Sequence, residues 1–451
     1  MSRNQDADLY RVCRLTPNLT IPHIDQMKVL ISSTMLSKVV LVFALVLTFG
    51  ASSGFAQIGA SPPGKNSKGA AMSREERMRT MPARRLDAIK LLQHCETKLK
   101  MSLSQLKDSS AYPRNVPIDS TKWKTTNYKD WTGGFFPGQL WYMYESTSDE
   151  YWKTQAIKWQ KAMEPAKSIT WTHDLGFMVY NCYGHAWRLT RDPKYKEILF
   201  TTAASLDKLY NNKVGTTKSW TWRKNWMHPT IIDNMLNLEL LFWAGKNGGR
   251  RAFYEHAFQH ATVTQREHLR PNYTSYHVVN YDTATGKPLH KVTDQGLADS
   301  STWARGQAWG IYGFAMSHRE TKNIKFLATA KKMAEVFMAY LPEDNIPYWD
   351  YNAPKNAGTP RDASAAAIAA SGMLEIARLS KDPIDELTYR EYAVKLLTAL
   401  SSPQYLAPAN SPAILQHSTG SMPHKSEIDV SLIYADYYYV EALIRLKDMR
   451  Y

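Results

Sequence analysis

Beyond residue 80, the apolar residues recur almost everywhere at intervals of three and four, the period of an amphipathic helix. The period predicts twelve helices, near 82–107, 133–147, 149–168, 173–190, 192–210, 229–246, 249–270, 302–319, 322–341, 361–380, 383–402 and 427–447. It is sharpest in the last, where Ile428, Leu432, Ala435, Tyr439, Leu443 and Leu446 share one face. Asp192, Thr321 and Asp382 stand near helix starts, where a side-chain oxygen can accept from free N–H groups. The long exception is 271–301, whose run SYHVVNYDTATGKPLHKV alternates around a Thr-Gly turn and reads as a β-hairpin or a long loop. A shorter irregular stretch, 341–360, carries several Pro and Gly residues. Helices in antiparallel pairs, with no parallel-strand pattern, suggest a closed double ring. A superhelix of repeats is the alternative, weakened because no segment repeats at a fixed period. In either arrangement the loops at helix ends build a concave site.

The first 80 residues follow a different rule. From Met35 the chain reads MLSKVVLVFALVLTFGASSGFAQ: a positive Lys38, an apolar run from Val39 to Phe49, then small residues to Ala56. This is the layout of a secretory signal cleaved after Ala56, and the run is short for a membrane span. Residues 1–56 are therefore read as an extension plus signal, 57–80 as a flexible lead-in, and 81–451 as the helical domain. The expected location is periplasmic or secreted, without stable membrane insertion.

Charge narrows the partners. The chain carries a formal +15, of which residues 1–56 contribute only five Lys or Arg against three Asp or Glu, leaving +13 on the rest. The cations are scattered through helical patterns and form no nucleic-acid motif, so nucleic acid is not expected. An acidic carbohydrate fits better. The chain holds 14 Trp and 26 Tyr, and aromatic faces stack on sugars while Lys and Arg hold carboxylates or sulfates. Cys13, Cys95 and Cys182 have neither metal-ligand spacing nor a disulfide framework; Cys95 and Cys182 could pair, but isolated buried thiols are the favoured reading.

Four segments break the helical pattern with acidic and aromatic residues together: DWTGGFFPG (130–138), TWTHDLGF (170–177), HPTIIDNMLNL (228–238) and SSTWARGQAWG (300–310). Taken alone, Asp174 reads as a capping or first-turn acid. Asp233 lies between Ile232 and Met235 in an apolar helix, where a carboxylate is costly unless paired or protonated. A buried structural Asp is the alternative, but Asn234 and Asn237 crowd the same region and favour a functional role. Arg305, between Trp303 and Trp309, suits a guanidinium packed on aromatics and aimed at a carboxylate.

In this order and at these separations, WTGGFFPG, HDLGF, IIDNMLNL and WARGQAWG resemble the unsaturated glucuronyl hydrolases of glycoside hydrolase family 88, over roughly residues 85–450. The resemblance implies an all-α (α/α)6 barrel and a glycosidase that needs no metal or organic cofactor. It implies Asp233 as general acid/base and Asp174 as a second essential acid. It implies Trp131, His173 and Trp220 as the lining of the sugar subsite, with Trp222 close to Trp220, and His277, Gln295, Arg305 and Trp309 as further substrate contacts. The implied substrate is an acidic oligosaccharide left by a lyase, ending in a 4,5-unsaturated uronic acid. Some relatives contact a sulfate through Ser-x-x-Ser-x-Lys. Here Ser418 and Ser421 are followed by Lys425, two places late. Glycosaminoglycan and ulvan fragments are the expected substrates. Unsaturated rhamnogalacturonyl hydrolases and a non-catalytic sugar-binding barrel are the alternatives. Oligomeric state is not legible.

Overall fold

Among the described residues, twelve α-helices order the chain. They are α1 (Ala88–Gln105), α2 (Phe135–Thr147), α3 (Glu150–Lys161), α4 (His185–Thr190), α5 (Pro193–Asp207), α6 (Asn234–Lys246), α7 (Arg251–Glu267), α8 (Ala304–Thr321), α9 (Ile324–Ala339), α10 (Ala363–Leu379), α11 (Pro383–Leu400) and α12 (Ile433–Asp448). A π-helical stretch, Gly176–Gly184, runs directly into α4. The coordinates are a computed structural model that describes residues 86–449, so the signal expected over 1–56 and the lead-in over 57–80 lie outside the described residues.

The helices form two rings. The π-helical stretch packs on α2 and α6, α6 on α8, α8 on α10, α10 on α12, and α12 returns to α2, which closes an inner ring of six. The outer helices α1, α3, α5, α7, α9 and α11 each back one inner element. Closure excludes the open superhelix. Burial follows from the sequence. Inner helix α10 (ASAAAIAASGMLEIARL) is buried at every position from Ala363 to Ala377, and α8 from Ala304 to His318. Outer helix α1 buries only a stripe through Ala88, Leu92, Cys95 and Leu99. Small residues let the inner helices approach: a Cβ on Gly134 would lie 2.1 Å from the Phe177 carbonyl oxygen. No helix among the described residues is long and apolar enough to cross a membrane.

Eight short strands among the described residues accompany the rings: β1 (Tyr112–Pro117), β2 (Lys124–Thr126), β3 (Tyr210–Asn211), β4 (Thr216–Thr217), β5 (His228–Ile231), β6 (Val278–Tyr281), β7 (Pro288–Val292) and β8 (Val430–Leu432). The hairpin expected in 271–301 is present: β6 (Val278–Tyr281) pairs antiparallel with β7 (Pro288–Val292). β6 also pairs with β5 (His228–Ile231), and this corrects the helix expected over 229–246, which begins only at Asn234. The helix expected over 427–447 likewise begins at Ile433, because β8 (Val430–Leu432) pairs with β1 (Tyr112–Pro117). Ile428 and Leu432 are therefore not on its face. In both places the short run before the helix, HPTI or VSL, carries no local signal that separates a helix start from a strand. The helix expected over 149–168 breaks after Lys161 into a 3-10 turn, Glu164–Ser168, which contains Pro165. Asp192 and Asp382 do cap their helices. Thr321 instead ends α8, and Asn323 caps α9 by accepting from Lys325 N–H at 3.1 Å. Cys95 and Cys182 are free and buried.

Candidate active site

The site lies at the N-terminal ends of the inner helices. Residues 171–174, just before the π-helical stretch, pair with 219–221: Thr172 bridges Trp220, and His173 N–H donates to the Ser219 carbonyl at 3.3 Å. His173 Nδ1 contacts the same carbonyl at 3.1 Å. A carbonyl only accepts, so Nδ1 carries the proton. Nε2 then faces Asp174 Oδ1 at 3.2 Å. Thr172 Oγ1 donates to Asp174 Oδ2 at 2.6 Å. Asp174 therefore caps nothing; its carboxyl is oriented by the two residues before it.

Asp233 is the residue immediately before α6 and not a helix-interior residue, because β5 delays the helix. An acid at this position ordinarily accepts from the first-turn N–H groups. Asp233 makes no such bond, and its Oδ1 is buried without a partner. The rest of the carboxyl borders the cleft. Burial pushes its pKa up to about 7; the Arg305 guanidinium pulls it down, and the Asp174 charge pushes it up again. A carboxyl raised this far can hold a proton near neutral pH.

Two asparagines set the spacing of the acids. Asn237 Oδ1 accepts from Phe177 N–H at 2.9 Å, and its Nδ2 donates to the Asp233 carbonyl at 3.4 Å. Asn234 accepts from Ser219 Oγ at 2.6 Å and donates to Thr217 O at 3.0 Å. Gly176 packs on Asn237, where a Cβ would fall 2.7 Å from its Cα. Gly176→Ala must push α6 away from the π-helical stretch, and with it Asp233 from Asp174. The expected result is a fall in kcat of about tenfold to a hundredfold and a loss of about 1–3 kcal/mol in denaturant melts. A variant with the parent kcat would show that this spacing is not critical.

Arg305 is packed over Trp303 at 4.5 Å and Tyr434 at 5.4 Å. Its carboxylate partner is Asp362 of the protein, at 2.8 Å. It also donates to Gln295 Oε1 and to the carbonyls of Thr419 and Gly420. The guanidinium therefore supplies charge to the cleft and ties three chain segments together. His277 Nδ1 accepts the N–H groups of Asp294 and Gln295, at 3.1 and 3.2 Å, which places the loop bearing Gln295. Its ring is buried, lies 4.6 Å from Trp303 and is not on the cleft wall.

Trp131, His173, Asp174, Trp220, Asp233, Gln295 and Arg305 thus line one cleft of about 360 Å³. Trp309 does not: its ring is buried, packed on Phe177 at 5.2 Å and Tyr438 at 5.4 Å, in the aromatic layer behind Trp131. Ser418, Ser421 and Lys425 are not on the wall either. Ser418 is fully buried, Ser421 Oγ contacts His424 Nδ1 at 3.0 Å, and Lys425 is exposed. It is His424 that reaches toward the cleft, 3.7 Å from Asp294. Sequence reasoning missed Thr172, Asp294 and Arg223, of which the last two form an ion pair at the wall. The adjacency of Asp294 to Gln295 and of Thr172 to His173 was the available signal. No group of three His, Cys, Asp or Glu residues among the described residues is placed to hold a metal.

A larger cavity, about 720 Å³, opens at the opposite ends of the inner helices. Its most buried acids are already paired: Glu375 with Arg319 and Arg378, and Glu441 with Arg445, Tyr142, Tyr312 and Ser371. It reads as an ionic belt that joins helix ends, whereas the cleft holds an acid with an unsatisfied oxygen. The cleft is the catalytic candidate.

Six inner and six outer helices around a carboxyl pair and tryptophans define a glycosidase of the (α/α)6-barrel class. Residues 105–448 match Glycosyl Hydrolase Family 88. An unsaturated glucuronyl hydrolase of Formosa agariphila is 43% identical over 346 residues, covering 75% of this chain and 85% of the relative. One from a Bacillus species is 34% identical over 342 residues, covering 74% and 90%. The solved structure of an unsaturated glucuronyl hydrolase specific for heparin matches with a TM-score of 0.76 at 41% identity, covering 80% of this chain and 97% of that one. The chain belongs to glycosyl hydrolase family 88.

Proposed function

We propose that the protein removes the terminal 4,5-unsaturated glucuronic acid from acidic oligosaccharides, with Asp233 as the acid and then the base. The observation that carries this reading is a carboxyl raised to about 7 by burial, with one oxygen unpartnered, in the same cleft as Asp174. Ordinary glycosidases protonate the leaving oxygen and attack the anomeric carbon. The unsaturated sugar is instead a vinyl ether. Asp233 donates its proton to C4, and the positive charge at C5 is shared with the ring oxygen. Water adds at C5 and returns a proton to Asp233. The resulting hemiketal opens, and the exposed hemiacetal at C1 expels the rest of the chain. Trp131 and Trp220 supply faces for the sugar, and Gln295 and His173 supply polar groups. The Arg305 charge favours the uronate carboxylate nearby. Both acids share one cleft, which argues against a non-catalytic barrel.

The basic charge supports a sulfated or multiply carboxylated substrate. Glycosaminoglycan fragments come first, with ulvan fragments as the competing source. The signal-like stretch 35–56 supports export, and a mature protein beginning at Gln57 is the expected product of N-terminal sequencing. The functional test is loss of the conjugated-uronate absorbance with unsaturated chondroitin, heparin, ulvan and rhamnogalacturonan disaccharides. Turnover of the rhamnogalacturonan disaccharide alone would overturn the glucuronyl assignment.

The pH profile has a definite sign. Only protonated Asp233 can start the reaction, so kcat falls tenfold per pH unit above about 7. Asp174→Asn removes a negative neighbour that raises the Asp233 pKa, so the residual activity of that variant should decline from a lower pH. An unmoved alkaline limb would mean that Asp174 does not act on Asp233 through charge.

A further inference from the structure

The chain has 14 tryptophans, all within the described residues, and only Trp171 and Trp222 are exposed, by 40% and 51%. Single exposed aromatics need no explanation. These two touch each other, with ring centroids 5.6 Å apart at 64°, and both border the cleft that holds Asp174 and Asp233. They are also held in place without a ligand. Thr221 Oγ1 donates to the Trp171 carbonyl at 3.0 Å, and the neighbouring Thr172 bridges Trp220. The pair is therefore built on the same paired segments that orient the catalytic-site acid Asp174, three residues after Trp171.

We propose that Trp171 and Trp222 form a stacking platform for the second and third sugars of the substrate, making the enzyme selective for chains longer than a disaccharide. This rests on the reading above that the cleft takes the unsaturated terminal sugar. The occupant follows from continuity. The acids and Arg305 lie at the inner part of the cleft, and the remainder of an oligosaccharide must leave through its rim, where the two exposed indoles stand. Indole faces suit the C–H faces of sugar rings, and indole N–H groups suit their hydroxyls. Charge agrees. Exposed Lys129 lines the same cleft and makes no ion pair among the described residues. Arg223 lines the cleft as well, over the Trp220 and Trp226 rings at 5.4 Å each, but is already paired with Asp294. The Lys129 charge matches the carboxylate or sulfate that each repeat of an acidic chain carries.

The test compares kcat/KM for an unsaturated disaccharide and the tetrasaccharide of the same repeat, in the parent, Trp171→Ala, Trp222→Ala and the double variant. The parent should prefer the tetrasaccharide by roughly tenfold, and the double variant should bring the ratio near one, chiefly through KM. Trp222→Phe should keep most of the preference, because a smaller face remains. Melting temperatures should be close to the parent's, since both rings are exposed. A parent with no length preference, an unchanged ratio in the double variant, or an equal loss on both substrates overturns the platform. Failure of the parent to turn over either substrate is a different result, and it overturns the functional reading itself.

Discussion

Asp233→Asn folds, binds unsaturated oligosaccharide, and turns it over about a hundred- to ten-thousandfold more slowly than the parent, the range set by loss of a general acid. Asn keeps the size of the side chain and most of its packing, but it has no proton to give to C4 and no basic oxygen to take one from water. Stability changes in the opposite direction. The folded carboxyl titrates at about 7, against an ordinary value of 3.8. The fold therefore holds a proton that the unfolded chain releases. The stability tied to that proton is complete below pH 3.8 and is lost as pH rises to about 7. Asn carries no charge to desolvate, so the variant escapes this loss. Its advantage over the parent should grow between pH 4 and 7 and level off above, at about 2–4 kcal/mol. Calorimetry of both proteins from pH 4 to 8, with turnover measured on the same samples, checks the pair of effects. A variant that is slow but no more stable at pH 8 would show that Asp233 is not desolvated. A variant that is stabilised but still active would remove it from the chemistry.

Arg305→Ala is the most damaging substitution expected outside the acids. It removes the partner of Asp362, which is fully buried, and leaves the Thr419 and Gly420 carbonyls without their donor. Breaking a buried pair from one side costs about 3–5 kcal/mol, because the remaining charge is stranded. A fall in Tm of roughly 5–10 °C follows for a domain of this size. Arg305→Lys is the second variant, needed in case the first does not fold. It keeps the charge but not the planar fork, so it satisfies Asp362 or the carbonyls and not both. Its activity should fall through poorer placement of Gln295, which shares the guanidinium. The pH profile separates the electrostatic role from the structural one. Arg305 pulls the Asp233 pKa down, so a variant lacking the guanidinium should keep its proton, and its alkaline limb, to higher pH. A Tm within a degree of the parent's in Arg305→Ala would contradict the stranded-charge account.

Much of the barrel was legible because helical periodicity is local. Most of the expected helices lie close to their observed positions; the helix expected over 149–168 stops at Lys161, and the starts displaced by strands are those at Ile433 and Asn234. Their preceding residues, Val430–Leu432 and His228–Ile231, are buried in strands whose partners lie at 115–117 and 278–281. No local window contains those partners. The π-helical stretch after Asp174 escaped for a related reason: its nine residues are mostly apolar and buried, so they show no period that separates a π-helix from an α-helix. Trp309 shows the limit for side chains. Its place in the helix was clear, but whether its ring faces the cleft or the aromatic layer behind Trp131 depends on how α8 is rotated against its neighbours.

Read alone, the chain of residues specified its helices, their order, and an aspartate in surroundings too apolar for a free carboxylate, since propensity and periodicity act within a few turns. The protonation of Asp233, the engagement of Arg305 and the meeting of the two exposed tryptophans were decided only when the ring closed. Desolvation and Coulomb forces depend on distance through space, and Arg305 meets Asp362 57 residues further on and Thr419 114 residues further on.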